Sequence, residues 1–186
     1  MENLVLKKNN IITYSKIQMS PIDPKPEDIS IKDIAHSLSY MCRANGHIRC
    51  FFSVAQHCIN CCLEAKARNY SKRIQLALLL HDASEAYIAD IIRPVKHNLS
   101  AYLEIENKLQ NAIYTAFGIS DLTDEENKLI DEIDNIMLQY EFINLADMKI
   151  FNEDMTLIGE HCFEFKGFIE TENQYIELFN ALTDSH

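Results

Sequence analysis

The chain has 186 residues, of which 47% are hydrophobic and 24% charged. This length and composition are typical of one globular domain with a hydrophobic core, and they exclude wholesale disorder. Four glycines and four prolines are too few for an all-β architecture with many tight turns. The net charge of −11 argues against a long nucleic acid as a partner, because phosphate neutralisation requires clustered Lys and Arg side chains.

Charge is distributed unevenly along the chain. Residues 1–120 carry 14 Lys and Arg against 11 Asp and Glu, whereas residues 121–186 carry 3 against 17. The acidity therefore belongs to the last third, where we expect solvated helix faces that favour solubility. The mildly basic first 120 residues are better suited to receive a small anionic ligand.

The N-terminal segment, residues 1–29, predicts a short extended arm or hairpin. Residues 4–17 alternate loosely around Lys8-Asn9-Asn10, a pattern that suits a small hairpin. Pro21, Pro24 and Pro26 then favour an extended connection, because each fixes its own φ and restricts the residue before it.

Helices are predicted for most of the remaining chain. The first is expected from Ser30, where Asp33 completes a helix-start signal, to a stop at Gly46. Thr123 with Glu126 forms a capping box that begins a long helix. Including that long helix, the further predicted helices cover residues 53–67, 73–90, 101–117, 123–146 and 171–182.

These elements predict one all-α domain over residues 1–186, a helical bundle preceded by the arm. We interpret residues 30–146 as the catalytic helical core and residues 147–186 as an acidic helical region. Internal repeats and low-complexity linkers are absent from the sequence.

The sequence indicates a cytoplasmic protein. Leu4-Val5-Leu6 is too short for the apolar part of a signal peptide, and no apolar run approaches the roughly 20 residues of a membrane span. We expect the cysteines to be reduced, because they lie in helix-like apolar segments rather than in a loop-rich framework. They are Cys42, Cys50, Cys58, Cys61, Cys62 and Cys162.

A His-Asp pair follows an apolar helical run and is the first sign of chemistry. Residues 77–80 are all apolar, so His81 and Asp82 are expected at or inside the core, where an uncompensated polar pair is costly. Metal coordination compensates such a pair, since an imidazole and a carboxylate can bind one cation. Glu85 shares the helical face of His81 and is placed to contact a metal-bound water.

Two further residues complete a candidate ligand set. His57 lies on the preceding predicted helix. Asp134 lies on the apolar side of its helix, close to Ile133 and Met137, whereas Asp131 can face solvent. A carboxylate drawn inward at this position is a plausible fourth ligand.

The cysteines of Cys58-Ile59-Asn60-Cys61-Cys62 allow a different metal site. Cys61 lies four residues after His57, so a His/Cys zinc site on one helix face is geometrically possible. A redox CxxC normally begins a helix, and this one lies in the middle of a predicted helix. Small buried side chains in the core are the preferred interpretation of these cysteines.

The ordered set of His57, His81-Asp82 and Asp134 resembles the HD-domain metal phosphohydrolases over roughly residues 30–146. The stretch His-Asp-Ala-Ser-Glu at 81–85, with Asp90 and Pro94-Val95-Lys96, is similar to the bacterial 5′-deoxynucleotidase branch. Residues 33–57 resemble a related group of proteins found in bacteria and phages. That group includes viral enzymes that remove triphosphate from dATP.

The resemblance implies an all-α HD-domain bundle and a divalent transition metal (Co, Mn, Zn, Fe or Ni) held by those four residues. It implies hydrolysis by a metal-activated water, with Glu85 and Asp82 as the catalytic residues. Arg43 and Lys96 are candidate phosphate contacts, with Arg49 an alternative to Arg43. Asp90 is a candidate contact to the sugar.

Three other residues have expected roles in the pocket or in packing. Ile22 in the arm is a candidate wall of a base pocket. We expect His36 and His47 to serve packing or capping.

The function expected from this resemblance is metal-dependent hydrolysis of 2′-deoxynucleotides, such as dATP to deoxyadenosine and triphosphate. Alternatives are a 5′-deoxynucleotidase that releases orthophosphate from dNMPs, a non-catalytic nucleotide sensor, and a cyclic-nucleotide or signalling-nucleotide phosphodiesterase. The expected partners are a small deoxynucleotide and further copies of the chain in a homo-oligomer, with neither a long nucleic acid nor a membrane. The expected compartment is the bacterial cytosol or that of a phage-infected host.

Overall fold

A computed structural model describes residues 5–184, and it begins with a small hairpin. Strand β1 (Ile11–Ile12) pairs antiparallel with β2 (Gln18–Met19). The turn lies between these strands, where the Lys16 amide donates to the Thr13 carbonyl at 2.9 Å. The hairpin predicted for residues 4–17 is therefore present, but it turns later than Lys8-Asn9-Asn10. Leu4 of that prediction lies outside the described residues.

Helices make up the rest of the regular structure. Short 3-10 turns cover Pro26–Asp28 and Arg43–Gly46. The α-helices are α1 (Ile31–Tyr40), α2 (Val54–Ala67), α3 (Lys72–Leu80), α4 (Glu85–Ile88), α5 (Arg93–Lys96), α6 (Ser100–Ala116), α7 (Asp124–Ala146) and α8 (Phe168–Thr183). The described chain is thus mostly helical with a two-stranded hairpin, as the residue pattern predicts.

Helix α2 forms the centre of the core. Its buried positions include Val54, Cys58 and Cys61, each fully shielded from solvent. Helices α1, α3, α7 and α8 all pack against α2, so a residue on α2 can face several neighbours at once. Because α2 is buried on every side, its apolar residues are spread around the helix and do not form one narrow stripe.

The first helix is shorter than predicted and is capped differently. It begins after Ser30 but ends at Tyr40, not at Gly46, because the chain becomes extended and Cys42 pairs with Ser53 in an isolated antiparallel bridge. The Ser30 side chain makes no capping bond. The Asp33 carboxylate instead accepts a hydrogen bond from the Ser15 amide at 2.6 Å, which ties α1 to the arm.

The single helix predicted for residues 73–90 is divided into α3 and α4. The Gln110 amide side chain donates to the Leu80 carbonyl at 2.7 Å and accepts from the Ser84 amide at 3.1 Å. These bonds replace the helical partners of both backbone groups and stabilise the break. His81 and Asp82 therefore lie in the turn between α3 and α4.

Other sequence predictions are closer to the structure. The Thr123–Glu126 capping box is confirmed, with both reciprocal hydrogen bonds formed. The CxxC lies within α2 as predicted. The placement of all cysteines in helices is wrong, since Cys42, Cys50 and Cys162 lie outside them. Within the described part of the predicted helical region, residues 147–184, α8 is the only helix, and it begins at Phe168.

A buried glutamate holds the irregular segment before α8 against the core. Glu64 of α2 is fully buried and accepts hydrogen bonds from the Gly159 amide at 2.9 Å and from His161 Nε2 at 2.8 Å. Arg68 Nε donates to its other oxygen at 2.9 Å, as does the Ile158 amide at 3.0 Å. The segment is therefore fixed by one carboxylate with charge-assisted bonds.

We expect Glu64→Gln to lower the free energy of unfolding by about 3 kcal/mol, because the amide places a donor against groups that also donate. Burial acts to raise the pKa of Glu64, but hydrogen bonds from Gly159 and His161 outweigh it and lower the pKa. The wild-type advantage should therefore be present above pH 4.5 and disappear as the carboxylate is protonated in more acidic solution.

Urea denaturation at several pH values measures this difference. Glu132→Gln is the matched control, since Glu132 is exposed and lies 3.8 Å from the same Arg68 side chain. We expect that control to change stability by less than about 1 kcal/mol. Equal effects of the two substitutions would contradict the anchoring role.

Within residues 5–184, no helix combines the length and the apolar character that crossing a membrane requires.

Candidate metal centre

The four predicted ligands come from separate elements and meet at one point. His57 lies in the first turn of α2, His81 and Asp82 follow α3, and Asp134 lies midway along α7. His57 Nε2 lies 3.1 Å from His81 Nε2 and 3.1 Å from Asp134 Oδ1. Asp82 Oδ2 lies 3.7 Å from His57 Nε2 and 3.4 Å from His81 Nε2. The structure therefore brings the four predicted residues within 3.8 Å of a neighbour in the set.

Local structure fixes the orientation of His57. The capping box of Ser53 and Gln56 begins α2, with the Gln56 amide donating to Ser53 Oγ at 3.1 Å. The His57 amide then donates to the Ser53 carbonyl at 3.2 Å. The residue is fully buried in this rigid first turn.

The hydrogen bonds of the two histidines determine which nitrogen carries a proton. His81 Nδ1 lies 2.7 Å from the Leu78 carbonyl, which can only accept, so Nδ1 is the donor. His57 Nδ1 lies 2.6 Å from Glu141 Oε1 and donates to that carboxylate in the same way. In the neutral rings, both Nε2 atoms then present lone pairs to each other, an arrangement that a cation between them stabilises.

The separations match the size of a transition-metal site. Ligand bonds of about 2.0–2.2 Å place two ligand atoms about 3.0 Å apart at a right angle and about 3.4 Å apart at the tetrahedral angle. The separations from His57 Nε2 to its neighbours range from 3.1 to 3.7 Å. His81 Nε2 lies 3.8 Å from Asp134 Oδ1, slightly beyond this range, which corresponds to a wider angle between these two ligands at the metal. The donor set therefore fits one divalent ion.

Electrostatics at this point also favour a cation. Burial and the Arg43 charge act to lower the pKa of His57, but Cys61, Glu141 and Asp134 outweigh them and raise it well above its ordinary value. A field that holds a proton on a buried imidazole also attracts a metal ion in its place.

Two buried thiols, those of Cys58 and Cys61, lie next to the predicted ligands. The groups His57/Cys61/His81 and Cys58/His81/Asp82 each place their ligand atoms within 4.8 Å of one another, so each group can hold a metal ion. Cys61 Sγ lies 3.6 Å from His57 Nε2. The metal-binding potential therefore extends beyond the four predicted ligands.

A cavity of about 420 Å³ opens beside the cluster. The charged lining residues are the carboxyl groups of Asp82, Glu85, Asp90, Asp134 and Glu141 and the cations Arg43, Arg93 and Lys96. Carboxyl groups outnumber cations in this lining, an excess that favours a bound cation. Much of the remaining lining is apolar, including Ile48, Phe52, Phe142, Leu145, Ile150 and Phe151.

The three cations of the cavity are already paired with carboxylates. Arg43 donates to Glu141 Oε2 at 3.1 Å and to Asp82 Oδ2 at 3.2 Å. Lys96 Nζ lies 2.5 Å from Glu106 Oε1. The structure thus places Arg43 and Lys96 at the cavity, whereas the alternative to Arg43, Arg49, pairs with Asp147 and is not among the described lining residues.

The other predicted site residues divide into two groups. Glu85 and Asp90 line the cavity. Glu85 is 4% exposed, and its Oε2 atom has no hydrogen-bond partner among the described residues. Burial, followed by the charges of Asp82 and Asp90, raises the pKa of Glu85 well above its ordinary value. Ile22 is 45% exposed and is not among the described residues that line this cavity.

Sequence reasoning missed two residues of the site. Glu141 lies seven residues after Asp134, two turns along the same face of α7, so helical spacing contained a signal for it. Arg93 precedes Lys96 by one turn of α5 and donates to Asp134 Oδ2 at 2.5 Å. A contact between α5 and α7 is not visible in local spacing, so the sequence offered no signal for Arg93.

We expect Glu141→Gln to weaken metal binding about 10- to 100-fold, the usual effect of losing the partner that orients a ligating histidine. The glutamine removes the negative charge beside His57 Nδ1 and beside Arg43, while preserving side-chain shape. Metal affinity measured by competition with a fluorescent chelator tests this. Glu132→Gln, an exposed change on the same helix, is the control, and unchanged affinity in Glu141→Gln would contradict the role.

Comparison with known proteins gives partial similarity. No family model matches the chain. YfdR, an uncharacterized protein of Escherichia coli K12, is 37% identical over 107 residues, which are 58% of this chain and 57% of YfdR. An uncharacterized protein of Rhodobacter capsulatus is 40% identical over 103 residues, 53% of each chain. The matches thus cover a little over half the length of these curated relatives.

Proposed function

We propose that the chain is a metal-dependent phosphohydrolase of the HD-domain type that acts on 2′-deoxynucleotides. The observation that carries the proposal is the meeting of two Nε2 atoms and two carboxylates at ligand spacing, beside a cavity with charged and apolar parts. The ordered sequence pattern of His57, His81-Asp82 and Asp134 supports the same assignment.

The residues present fit a divalent transition metal better than magnesium, because imidazole is mixed with carboxylate. His57, His81, Asp82 and Asp134 would hold the ion. When bound, the metal supplies Lewis-acid stabilisation of phosphoryl charge and makes water more acidic.

The remaining groups have distinct tasks in this proposal. Glu85 is buried at the cavity with an unpaired oxygen, so it can accept the proton of the attacking water. Arg43 and Lys96 can turn from their carboxylate partners to phosphate oxygens, Arg43 with a two-pronged grip. Asp90 accepts a hydrogen bond from a sugar hydroxyl.

The apolar part of the cavity suits the nucleobase. Phe142 and Phe151 line it together with aliphatic side chains, and flat aromatic rings of a ligand pack favourably on such surfaces. A volume of about 420 Å³ falls within the usual range of small-molecule sites. The cavity thus offers separate environments for phosphate and base.

A substrate panel tests the proposal. Purified protein with Co²⁺ or Mn²⁺ is incubated with the dNMPs and dNTPs, and the phosphate products are separated by ion-exchange chromatography. Triphosphate released from dATP supports a triphosphohydrolase, and orthophosphate from dNMPs alone supports a 5′-deoxynucleotidase. Binding of nucleotides without turnover under any metal would contradict hydrolysis and favour a sensor.

A further inference from the structure

The inner side of the metal cluster carries thiols that the proposed hydrolysis does not use. Cys61 lies one turn after His57 on α2 and is fully buried. Its Sγ atom lies 3.6 Å from His57 Nε2, and together with His81 the three ligand atoms lie within 4.8 Å of one another. Sulfur and carboxylate oxygen thus approach the same imidazole pair.

The sulfur–nitrogen separation matches shared coordination. Bonds of about 2.3 Å to sulfur and about 2.0–2.1 Å to nitrogen put the two ligand atoms about 3.5 Å apart at the tetrahedral angle. The observed 3.6 Å is close to this value, and because Sγ also lies 3.9 Å from Nδ1 of the same ring, the thiol has to rotate toward Nε2 as the metal binds. Thiolate ligands favour soft ions such as Cd²⁺ and Zn²⁺, whereas carboxylates favour hard ions such as Mn²⁺.

We propose that His57, His81 and Cys61 form a second, thiophilic metal site that shares both imidazoles with the Asp82/Asp134 site. A soft ion binds on the Cys61 side, and the thiol releases its proton to the buffer as the metal–sulfur bond forms. A hard ion binds on the carboxylate side. Because both sites need the same Nε2 atoms, the two ions exclude each other.

Cadmium titration of the metal-free protein tests this site. We expect the first equivalent of Cd²⁺ to produce the ultraviolet sulfur-to-metal charge-transfer absorption and to expel prebound Mn²⁺, which is seen as free Mn²⁺ by electron paramagnetic resonance. Cys61→Ser and Cys61→Ala should both lose the absorption of that first equivalent and still bind Mn²⁺. Two substitutions guard against a misfolded variant, since Mn²⁺ binding reports an intact imidazole pair.

Two neighbouring thiols provide controls. Cys62→Ser removes an adjacent buried thiol that belongs to neither metal-binding group, and it should keep the absorption. Cys58→Ser removes the thiol grouped with His81 and Asp82, and this variant should also keep the absorption. The proposal is overturned if one bound Cd²⁺ gives no absorption in the wild type, or if the absorption depends on Cys58 instead of Cys61.

This inference and the proposed hydrolysis fail separately. A wild-type protein that shows the cadmium absorption but hydrolyses no deoxynucleotide retains the thiophilic site and loses the enzymatic function. A protein that hydrolyses deoxynucleotides but binds Cd²⁺ without the absorption retains the enzymatic function and loses the thiophilic site.

Discussion

Replacing Asp82 with alanine should remove bound metal and reduce deoxynucleotide turnover by about 10³-fold or more. Asp82 Oδ2 lies within 3.7 Å of both histidine Nε2 atoms, so its loss removes a ligand and a negative charge from the cluster. A metal contributes several kcal/mol of transition-state stabilisation, and each 1.36 kcal/mol corresponds to a tenfold change in rate. Metal content by mass spectrometry and turnover are measured on the same sample.

The Asp82 experiment needs a control for general damage. Asp131→Ala changes an exposed aspartate on α7, one turn before the proposed ligand Asp134, and should retain full metal content. Arg43 should keep its bond to Glu141 in the Asp82 variant, so this cation retains one carboxylate partner. Wild-type turnover in Asp82→Ala would reject the proposed metal centre.

Three of the four proposed ligands were predictable because each has a local signature. His81 and Asp82 follow an apolar run, and Asp134 interrupts the apolar face of a long helix next to the buried Ile133 and Met137. A polar group in such a place is costly unless a partner offsets its burial. Residue type and helical spacing therefore carried information about tertiary neighbours.

Other features depended on contacts between distant segments. The break after Leu80 is stabilised by Gln110, thirty residues later, so the apolar pattern alone predicted one continuous helix. Arg93 on α5 reaches Asp134 on α7 by a side-chain hydrogen bond between residues 41 positions apart in the sequence. Local propensity cannot anticipate such side-chain bonds, and tertiary context overrides it.

The arm shows the same limit. Ile22 follows a proline and was expected to wall the pocket, but nothing in its local sequence defines where the arm packs. In the structure, the Asp33 carboxylate of α1 accepts a hydrogen bond from the Ser15 amide, a contact that ties the hairpin to α1, while Ile11 pairs with Met19 within the hairpin. The position of the arm therefore depends on a contact between separate segments, which its local sequence does not show.

Replacing Glu85 with glutamine should lower turnover by about 10²–10⁴-fold while leaving metal content unchanged. This range is the usual contribution of a positioned general base, and glutamine keeps the shape of the side chain but cannot accept the proton. Glu85 lines the cavity but is not one of the four proposed ligands. Turnover should therefore fall in this variant while bound metal is retained, whereas Asp82→Ala should lose both.

The separation distinguishes three roles for Glu85. A fall in rate with full metal content supports proton transfer, because the ion remains while the base is lost. Loss of both would make Glu85 a ligand or a support of the ligands, and the proposed division of tasks would be wrong. An unchanged rate would leave Glu85 as a buried carboxyl group without catalytic use, although its unpaired Oε2 beside the cavity is difficult to explain on that basis.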